Sequence, residues 1–490
     1  MAGHFVMIPT MAAGHMNPML DLAKALALRG SVVTFVTTPL NAKRLKSGFD
    51  QCTSNGLPIR FAVIPFPCSE GGLPIGCENM DSVPSGELMA KFMQTVSLLK
   101  EPLLDLLNQA RPPRPSCFIS GSFFGYGSWI NEVANVFGAP TLVFDGAGIF
   151  SFVCCRMLIE HNTFPENLNE PFLLPRIPHS IFMTRNQIRP QLTSRQNDDE
   201  DGANLEKKKI DSKDIEYDGM VFNCINELEE EYVEIGKAVL IGKKIWTVGP
   251  LSSVKFSDHH SSPECDRGNK SDIDGKNCTD WLDTHMPGSV VYVCFGSLSK
   301  LAKAQLVEIG EGLENSSHPY IWAVRQSDEE TDAWFTEFEK KSRGLMIKGW
   351  APQLLILSHP SVGSFLTHCG WNSTMEGITA GVPMITWPLF SDQFFNEKLV
   401  VDILGIGVSV GIKQEQHPRS LSTHVIVRNP IITASVEKMM EGGEEGERRR
   451  AKAKEVAVMG KKAMEPGGSS DVNLGMLVNY GLQNIKFYKE

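Results

Sequence analysis

The stretch "WAPQLLILSHPSVGSFLTHCGWNSTMEGITAGVPMITWPLFSDQ", residues 350–393, alternates strand-like and helix-like segments over a short length of chain. Its centre, "FLTHCGWNSTMEG" (365–377), has the pattern of a buried strand, a turn that contains glycine, a polar cluster and a helix. The backbone amides that open such a helix, together with the positive end of its dipole, favour an anion. The stretch therefore predicts an α/β domain that binds an anion just after a strand.

The side chains in this stretch match the separate parts of a nucleotide sugar: a diphosphate, a base, a ribose and a second sugar. The residues are His368, Asn372 and Ser373 for the diphosphate, Trp350 for the base, Glu376 for the ribose, and Asp392 and Gln393 for the sugar. Any one of them alone is more often a core residue or a helix terminus. The hypothesis of a nucleotide-sugar site depends on finding all of them at this spacing.

The alternation of strands and helices extends outward over the whole chain, which at 490 residues is too long for one hydrophobic core. Buried strands separated by helices predict parallel, doubly wound sheets. The predicted strands are 5–9, 32–37, 59–65, 117–120, 141–145, 220–223 and 245–249, then 290–295, 320–324, 345–347, 364–367 and 384–387. The polar segment between the two groups of predicted strands is typical of a linker. We predict a first domain over 1–249, a linker over 250–276, a second domain over 277–460 and a C-terminal helical segment over 461–490.

Composition excludes several classes of function. A net charge of −10 argues against nonspecific binding to nucleic acid or to an anionic membrane, since both require a basic face. The 11 cysteines show no CxxC spacing, which favours neither a zinc site nor a disulfide framework. The amino terminus has no basic region before its apolar part and is not typical of a signal peptide. We expect a cytoplasmic monomer that binds no metal, no nucleic acid and no membrane.

A histidine follows the first predicted strand in "VMIPTMAAGHMNPML" (6–20). Ligands of doubly wound sheets bind beyond the carboxyl ends of the strands, which is where His15 lies. An imidazole with an ordinary pKa near neutrality suits a general base. His4, before the strand, is predicted to be a surface residue. No GxGxxG follows this strand, so the sequence does not favour a dinucleotide-dependent dehydrogenase.

The stretch 350–393 resembles, over its full length, the plant secondary product glycosyltransferase box of family 1 UDP-sugar glycosyltransferases. It begins with Trp-Ala-Pro-Gln, contains His-Cys-Gly-Trp-Asn-Ser and ends in Asp-Gln. The resemblance continues in "GHMNP" (14–18), "GLPIGCENMDSVPS" (72–85) and "WLDTHMPGSVVYVCFGSL" (281–298). It implies the GT-B fold, in which two doubly wound Rossmann-like domains face each other across a cleft and the last helix returns to the first domain.

The resemblance also implies a role for individual residues. The acceptor would bind mainly to the first domain and the UDP-sugar to the second. The implied donor contacts are Trp350, Ala351 and Gln353 at uracil, Glu376 at ribose, Ser297, His368, Asn372 and Ser373 at the diphosphate, and Trp371, Asp392 and Gln393 at the sugar. A terminal glutamine in the box is associated with glucose, so Gln393 predicts UDP-glucose. His15 would be the base of a single inverting displacement without a metal.

One position departs from the family pattern. The family pairs the histidine with an aspartate in a sequence like C-I-I-S-D-x-F, but this chain has "CFISGSFFGYG" (117–127), with Gly121 at the aspartate position. Asp145, at the end of the next strand, or Ser120 or Ser122 could support His15 instead. The alternatives are an acceptor that needs little help, including an electron-rich phenol that is C-glucosylated, and a protein that binds UDP-sugar but turns over slowly. Gly121 could also make room for a bulky acceptor.

The residues that recognise the acceptor are less evident from the sequence than those that bind the donor. Four aromatic residues, Phe123, Phe124, Phe150 and Phe390, are candidates for lining a pocket for a flat or polycyclic aglycone, although each one alone is more often core. The sequence resembles the branch that acts on flavonoids, other phenolics and triterpenoids. We therefore expect a small hydrophobic acceptor of plant specialised metabolism.

Overall fold

The structure is a computed structural model that describes residues 2–110, 113–122, 127–161, 163–193, 217–254, 271–324, 329–416 and 425–484. The chain divides into two compact units. The first comprises Met1–Gly148, Asp211–Lys270 and Lys461–Glu490, and the second comprises Ile149–Ile210 and Ser271–Gly460. The segment 149–210, assigned from the sequence to the first domain, thus groups with the second unit. The assignment of whole domains to acceptor and donor stays a prediction.

The first unit is built on a parallel sheet of seven strands in the order β3-β2-β1-β4-β5-β8-β9. Its strands are β1 (His4–Ile8), β2 (Val32–Thr37), β3 (Ile59–Val63), β4 (Cys117–Gly121), β5 (Thr141–Asp145), β8 (Gly219–Phe222) and β9 (Lys244–Thr247). Its helices are α1 (Ala13–Leu28), α2 (Pro39–Arg44), α3 (Lys46–Ser54), α4 (Gly86–Val96), α5 (Lys100–Gln109), α6 (Gly127–Phe137), α9 (Asn226–Val239) and α18 (Ser469–Gln483). The strand order reverses between β1 and β4, which pair with Ile8 opposite Ser120. A doubly wound sheet binds ligands at such a reversal.

The predicted strands of this unit coincide with observed strands because buried parallel strands are continuous apolar runs. The prediction for His4 is wrong. His4 is the first residue of β1 and is fully buried, with its Nε2 2.8 Å from Thr34 Oγ1 and its Nδ1 2.8 Å from the carbonyl oxygen of Pro113. Burial lowers the pKa of His4 to about 4, so the fold holds this imidazole in its neutral form.

The second unit has a parallel sheet of six strands in the order β12-β11-β10-β13-β14-β15 and a small antiparallel pair, β6 (Phe172–Leu173) and β7 (Phe182–Met183). The strands of the large sheet are β10 (Val290–Cys294), β11 (Tyr320–Val324), β12 (Leu345–Lys348), β13 (Val362–Thr367), β14 (Met384–Thr386) and β15 (Gly407–Ser409). The helices are α7 (Ile149–His161), α8 (Pro190–Thr193), α10 (Gly275–Asp283), α11 (Lys303–Asn315), α12 (Glu329–Glu339), α13 (Gln353–Ser358), α14 (Trp371–Ala380), α15 (Gln393–Lys398), α16 (Asn429–Met440) and α17 (Gly443–Met464). Here the order reverses between β10 and β13.

The C-terminal helix α18 packs on the sheet of the first unit. The side-chain amide of Asn473 donates to the carbonyl oxygen of Thr247 at 3.0 Å, and the hydroxyl of Ser470 donates to the carbonyl oxygen of Gly249. Arg29 of α1 and Asp471 form an ion pair that joins the same helix to α1. Helix α18 therefore belongs to the same unit as strand β1.

Within the described part of the chain, none of the helices has the length and apolar character that crossing a bilayer requires.

Candidate active site

The turn between β13 and α14 lies at the strand reversal of the second sheet. Cys369, between the strand and the helix, has a left-handed backbone with φ of +63°. Two side chains hold it there: Thr367 Oγ1 accepts from the Cys369 N–H at 3.2 Å, and Asn396 Nδ2 donates to the Cys369 carbonyl oxygen at 2.9 Å. Gly370 is the N-cap of α14 and makes no side-chain cap hydrogen bond. The N-cap residue therefore offers no side chain to the backbone amides of the first turn of α14.

The ring of His368 lies between Gly370, in the same turn, and Gly296, which follows β10. A Cβ on Gly296 would lie 2.4 Å from Cε1 and Nε2 of His368, and a Cβ on Gly370 would lie 2.4 Å from Nε2, so only glycine fits beside the ring. Nδ1 of His368 is buried and has no hydrogen-bond partner among the described residues. Burial lowers the pKa of His368 to about 4. A diphosphate placed here would favour the protonated imidazole and would provide the missing partner.

Gln353 connects the residues expected at the ribose and at the diphosphate. Its Nε2 donates to Glu376 Oε2 at 2.7 Å and to Ser373 Oγ at 3.1 Å, and its Oε1 accepts from the Tyr292 hydroxyl at 3.2 Å. Both Ser373 and Glu376 are buried on α14. Gln353 thus orients the carboxylate of Glu376, a group of the kind that accepts from ribose hydroxyls.

Trp350 is held at its backbone by Asp272. The Trp350 N–H donates to Asp272 Oδ2 at 2.6 Å, and the Asp272 N–H donates to the Trp350 carbonyl oxygen at 2.9 Å. Gly349, with φ of +111°, lies against the carboxylate, since a Cβ there would be 2.0 Å from Asp272 Oδ2. Ala351, next along the chain, is buried, whereas the Trp350 side chain is partly exposed, as a ring that stacks on a base must be.

The sugar end of the predicted donor site is formed by Asp392 and Gln393. Asp392 Oδ2 accepts from Asn396 Nδ2 at 2.8 Å, and burial raises the pKa of Asp392 while the nearby Arg189 guanidinium lowers it. Gln393 Oε1 accepts from the N–H groups of Leu389 at 2.8 Å and Phe390 at 3.0 Å. Its carbonyl oxygen is therefore occupied by backbone, and Nε2 remains as the polar atom that could meet a sugar.

The remaining predicted donor residues lie around the same turn. Ser297 follows β10, whose last residue, Cys294, pairs with Thr367 of β13, so Ser297 and His368 follow neighbouring strands. Asn372 is partly buried in the first turn of α14. Trp371 opens that helix with only 4% of its surface exposed, so a contact between its side chain and a sugar stays a prediction.

His15 lies in the first turn of α1, at the strand reversal of the first sheet. Its ring faces Gly146, where a Cβ would be 3.3 Å from His15 Nδ1. Burial lowers the pKa of His15 to about 4. This pKa lies below the near-neutral value expected from the sequence. The imidazole is neutral at physiological pH and ready to accept a proton, but it is a weaker base than an exposed histidine.

Gly121, at the position where the resemblance to the family implies an aspartate, has no room for a side chain. A Cβ there would lie 2.2 Å from Thr10 Oγ1 and 2.6 Å from the Thr10 backbone nitrogen. Thr10 is buried, and its hydroxyl has no hydrogen-bond partner among the described residues. The backbone of Thr10 thus occupies the space that an aspartate side chain at position 121 would enter.

Asp145 ends β5, the strand next to β4, with Phe144 opposite Gly121. Its Oδ1 accepts from the Ala147 N–H at 3.0 Å and from the Ser122 hydroxyl at 3.4 Å. Since a Cβ on Gly146 would lie 3.3 Å from His15 Nδ1, the structure brings His15, Ser122 and Asp145 to the same edge of the sheet. Support of His15 by Asp145 stays a prediction.

Comparison with known proteins identifies the family. The family model described as UDP-glucoronosyl and UDP-glucosyl transferase matches residues 268–417. UDP-glycosyltransferase 73C6 of Arabidopsis thaliana is 43% identical over 97% of this chain and 95% of its own length. UDP-glycosyltransferase 73E1 of Stevia rebaudiana is 42% identical over 99% of this chain and 97% of its own length. The chain belongs to the plant family 1 UDP-glycosyltransferases.

Solved structures of this family agree with the fold of this glycosyltransferase. Glycyrrhiza uralensis UGT73P12, crystallised with glycyrrhetinic acid 3-O-monoglucuronide, superposes with a TM-score of 0.88 at 36% identity, over 99% of this chain and 96% of that chain. Arabidopsis thaliana UGT89C1, crystallised with UDP-L-rhamnose, gives 0.72 at 31% identity, over 98% and 99% of the two chains. The prediction of a GT-B α/β fold is confirmed.

The predicted acceptor residues of the glycosyltransferase have different environments. Phe123 and Phe124 lie outside the described residues. Phe150 is fully buried in the first turn of α7, and Phe390 is partly exposed. Their contact with an acceptor stays a prediction.

Several residues that hold the site of this glycosyltransferase were not predicted from its sequence. Asn396 lies four residues after Asp392 on one helix face, a spacing that could have revealed it. Asp272 lies in the segment predicted as a linker, and nothing in its polar neighbours indicates a role in the donor site. Tyr292 reads as one of several apolar residues of β10. Thr10 gave no signal either, because its effect depends on the pairing of two strands that are distant in sequence.

Proposed function

We propose that this glycosyltransferase moves glucose from UDP-glucose to a hydroxyl of a small hydrophobic plant metabolite by a single inverting displacement. The observation that carries the proposal is the turn at His368, where two glycines, a buried imidazole nitrogen that has no hydrogen-bond partner among the described residues, and the N-terminus of α14 converge. These features suit the diphosphate of a nucleotide sugar. Ser297, Asn372 and Ser373 complete its donors.

The uridine would bind beside this turn. The partly exposed ring of Trp350 stacks on uracil, with Ala351 and Gln353 at its edge. Glu376, oriented by Gln353, accepts from the ribose hydroxyls. No metal is assigned a role, because helix amides and imidazole supply the donors that the departing UDP needs.

Glucose is proposed as the sugar because Gln393 ends the donor stretch, and the backbone N–H groups of Leu389 and Phe390, which donate to its side-chain Oε1, orient its Nε2 group. Asp392 and Trp371 would complete the sugar contacts. The relative UGT89C1 was crystallised with UDP-L-rhamnose, so we propose that the choice of UDP-sugar depends on individual residues of each chain. Changing Gln393 to His is expected to alter the preference between UDP-glucose and UDP-galactose, and an unchanged ratio would place sugar choice elsewhere.

His15 is proposed as the general base. It takes a proton from the acceptor hydroxyl while that oxygen attacks the anomeric carbon, and the bond from this carbon to UDP breaks. Base catalysis of this kind contributes ~10²–10⁴ in rate. Burial disfavours the imidazolium that forms, so a carboxylate is needed nearby, and we assign that role to Asp145. Asp145→Asn is expected to lower kcat sharply, and an unchanged kcat would remove Asp145 from the reaction.

The acceptor is proposed to be a phenolic, flavonoid or triterpenoid. A related structure was crystallised with quercetin, and UGT73P12 with glycyrrhetinic acid 3-O-monoglucuronide. Both ligands offer a large apolar body with hydroxyl groups, which is the kind of aglycone that Phe123, Phe124, Phe150 and Phe390 are proposed to contact. We further propose that the enzyme acts as a cytoplasmic monomer.

The test is mass spectrometry of purified enzyme with UDP-glucose and a panel of flavonoids, simple phenols and triterpenoids, followed by acid hydrolysis and NMR of the products. An acid-labile β-hexoside is the expected product. An acid-stable adduct would show C-glucosylation instead. Measurable binding of UDP-glucose without any product would show that the substitution at Gly121 has impaired catalysis.

A further inference from the structure

The loop that carries the proposed sugar contacts has an unusual backbone. Ser391, directly before Asp392 and Gln393, has a left-handed φ of +66°. A side chain makes this conformation unfavourable, so an interaction elsewhere must hold it. The position of both sugar-binding residues depends on that turn, because each follows it within two residues.

Glu415 supplies the interaction. Its Oε1 accepts from the Ser391 N–H at 2.9 Å, across 24 residues of sequence. A carboxylate that accepts from a backbone N–H makes a stronger hydrogen bond than a neutral acceptor does. The neighbouring Gln416 N–H donates to the carbonyl oxygen of Leu389, so the segment at 415–416 bonds to the loop on either side of Phe390.

Glu415 is itself fixed from the other side. Its N–H donates to the carbonyl oxygen of Asn186 at 2.8 Å, and Gln187 Nε2 donates to the carbonyl oxygen of Ile412 at 3.4 Å. The positive charge of Arg189 acts on both Asp392 and Glu415. The loop at 391–393 thus belongs to a connected group of buried or half-buried polar residues.

We infer that Glu415 is a positioning residue that fixes Ser391 and thereby sets the place of Asp392 and Gln393 at the donor sugar. This inference rests on the proposed function of these two residues. Glu415 touches neither sugar nor acceptor in this role. It lies outside the stretch 350–393 that identifies the donor site, so sugar selection depends on a residue beyond that stretch.

The test compares three substitutions at Glu415 in the full-length enzyme. Glu415→Met keeps the approximate size and removes the acceptor, and it is expected to raise KM for UDP-glucose ~10-fold while kcat changes much less. It should also reduce the preference for UDP-glucose over UDP-galactose. Glu415→Gln keeps an acceptor at the same reach and should stay within ~3-fold of wild type. Glu444→Met, on the exposed surface of α17, makes the same Glu-to-Met change away from the site. It should change neither the KM for UDP-glucose nor the preference between the two donors.

Glu415→Asp distinguishes the effect of the carboxylate's position at Ser391 from the effect of its charge. It keeps the charge near Arg189 but withdraws the carboxylate from Ser391, so it should resemble the Met variant. An Asp variant like wild type, together with a defective Gln variant, would show a purely electrostatic role and overturn the inference. If the Met variant does not fold, the comparison of the Asp and Gln variants still tests the inference.

A folded Met variant with unchanged KM and donor preference would likewise overturn the inference. Wild-type enzyme that transfers no sugar from UDP-glucose would instead contradict the proposed function, so the two failures are distinguishable in the same assay.

Discussion

The substitution Gly121→Ala is predicted to destabilise the first unit, although alanine is usually a mild replacement. The added Cβ would lie 2.6 Å from the backbone nitrogen of Thr10. The Thr10 hydroxyl, 2.2 Å away, could rotate, but the backbone nitrogen cannot leave without moving the chain beyond β1. Ordinary contact requires a shift of about 0.5–1 Å, and overpacking of this kind costs ~1–3 kcal/mol. Each kcal/mol lowers Tm by about 2–4 °C in a domain of this size.

Differential scanning calorimetry of the purified protein measures this effect. The matched control is Gly475→Ala on α18 of the same unit, where no atom lies within 4 Å of the new Cβ. Alanine in a helix is favoured over glycine by ~1 kcal/mol, so the control should be neutral or stabilised. The contrast between the two variants isolates the missing space at Gly121.

Gly121→Asp extends the prediction to catalysis. The carboxylate that the family resemblance implies at this position needs the same Cβ, so the variant should lose stability without gaining kcat. Thr10→Ala should rescue it only in part, because the backbone nitrogen remains. An aspartate variant with unchanged Tm and a raised kcat would refute the reasoning, since it would show that the site accepts the family arrangement unaided.

Three further predictions concern the donor site and the core. Gln393→Glu keeps an acceptor for its backbone donors but loses the amide N–H, so KM for UDP-glucose should rise ~10-fold; an unchanged KM in initial-rate assays would mean that the N–H does not meet the sugar. Asp272→Ala releases the Trp350 backbone and should weaken UDP binding ~10-fold in calorimetric titration, whereas Asp272→Asn retains an acceptor and should bind nearly normally; equal affinity of both would contradict a positioning role. The folded pKa of His4, about 4, lies below its unfolded value of 6.5, so stability is lost as pH falls from 6.5 towards 4. Between pH 7.5 and 5 this amounts to ~2 kcal/mol in urea unfolding, and His4→Met should lack that loss; parallel pH dependences would refute it.

Much of the fold could be predicted because each strand is a short apolar run between helices. β2 and β5 begin and end at the predicted residues. The grouping of 149–210 with the second unit could not be predicted, because nothing in its composition specifies which sheet it packs on. His4 was misplaced for a related reason: its two hydrogen-bond partners, Thr34 and Pro113, come from other strands and loops.

The donor residues could be placed from the sequence because they share one continuous stretch. The residues that orient them could not, because they act across long separations. Asp272 reaches Trp350 across 78 residues, and Glu415 reaches Ser391 across 24. The pKa of His15 depends on burial by the assembled unit, which no local pattern encodes.

The claim that His15 is the base is tested most directly by the rate of His15→Ala on two acceptors of different acidity. One is an aliphatic alcohol, which must lose its proton during attack, and the other is an electron-poor phenol that is already ionised at the assay pH. The account predicts a loss of ~10²–10⁴ in kcat/KM on the alcohol and a much smaller loss on the phenol. A variant that glucosylates the alcohol at nearly the wild-type rate would contradict it.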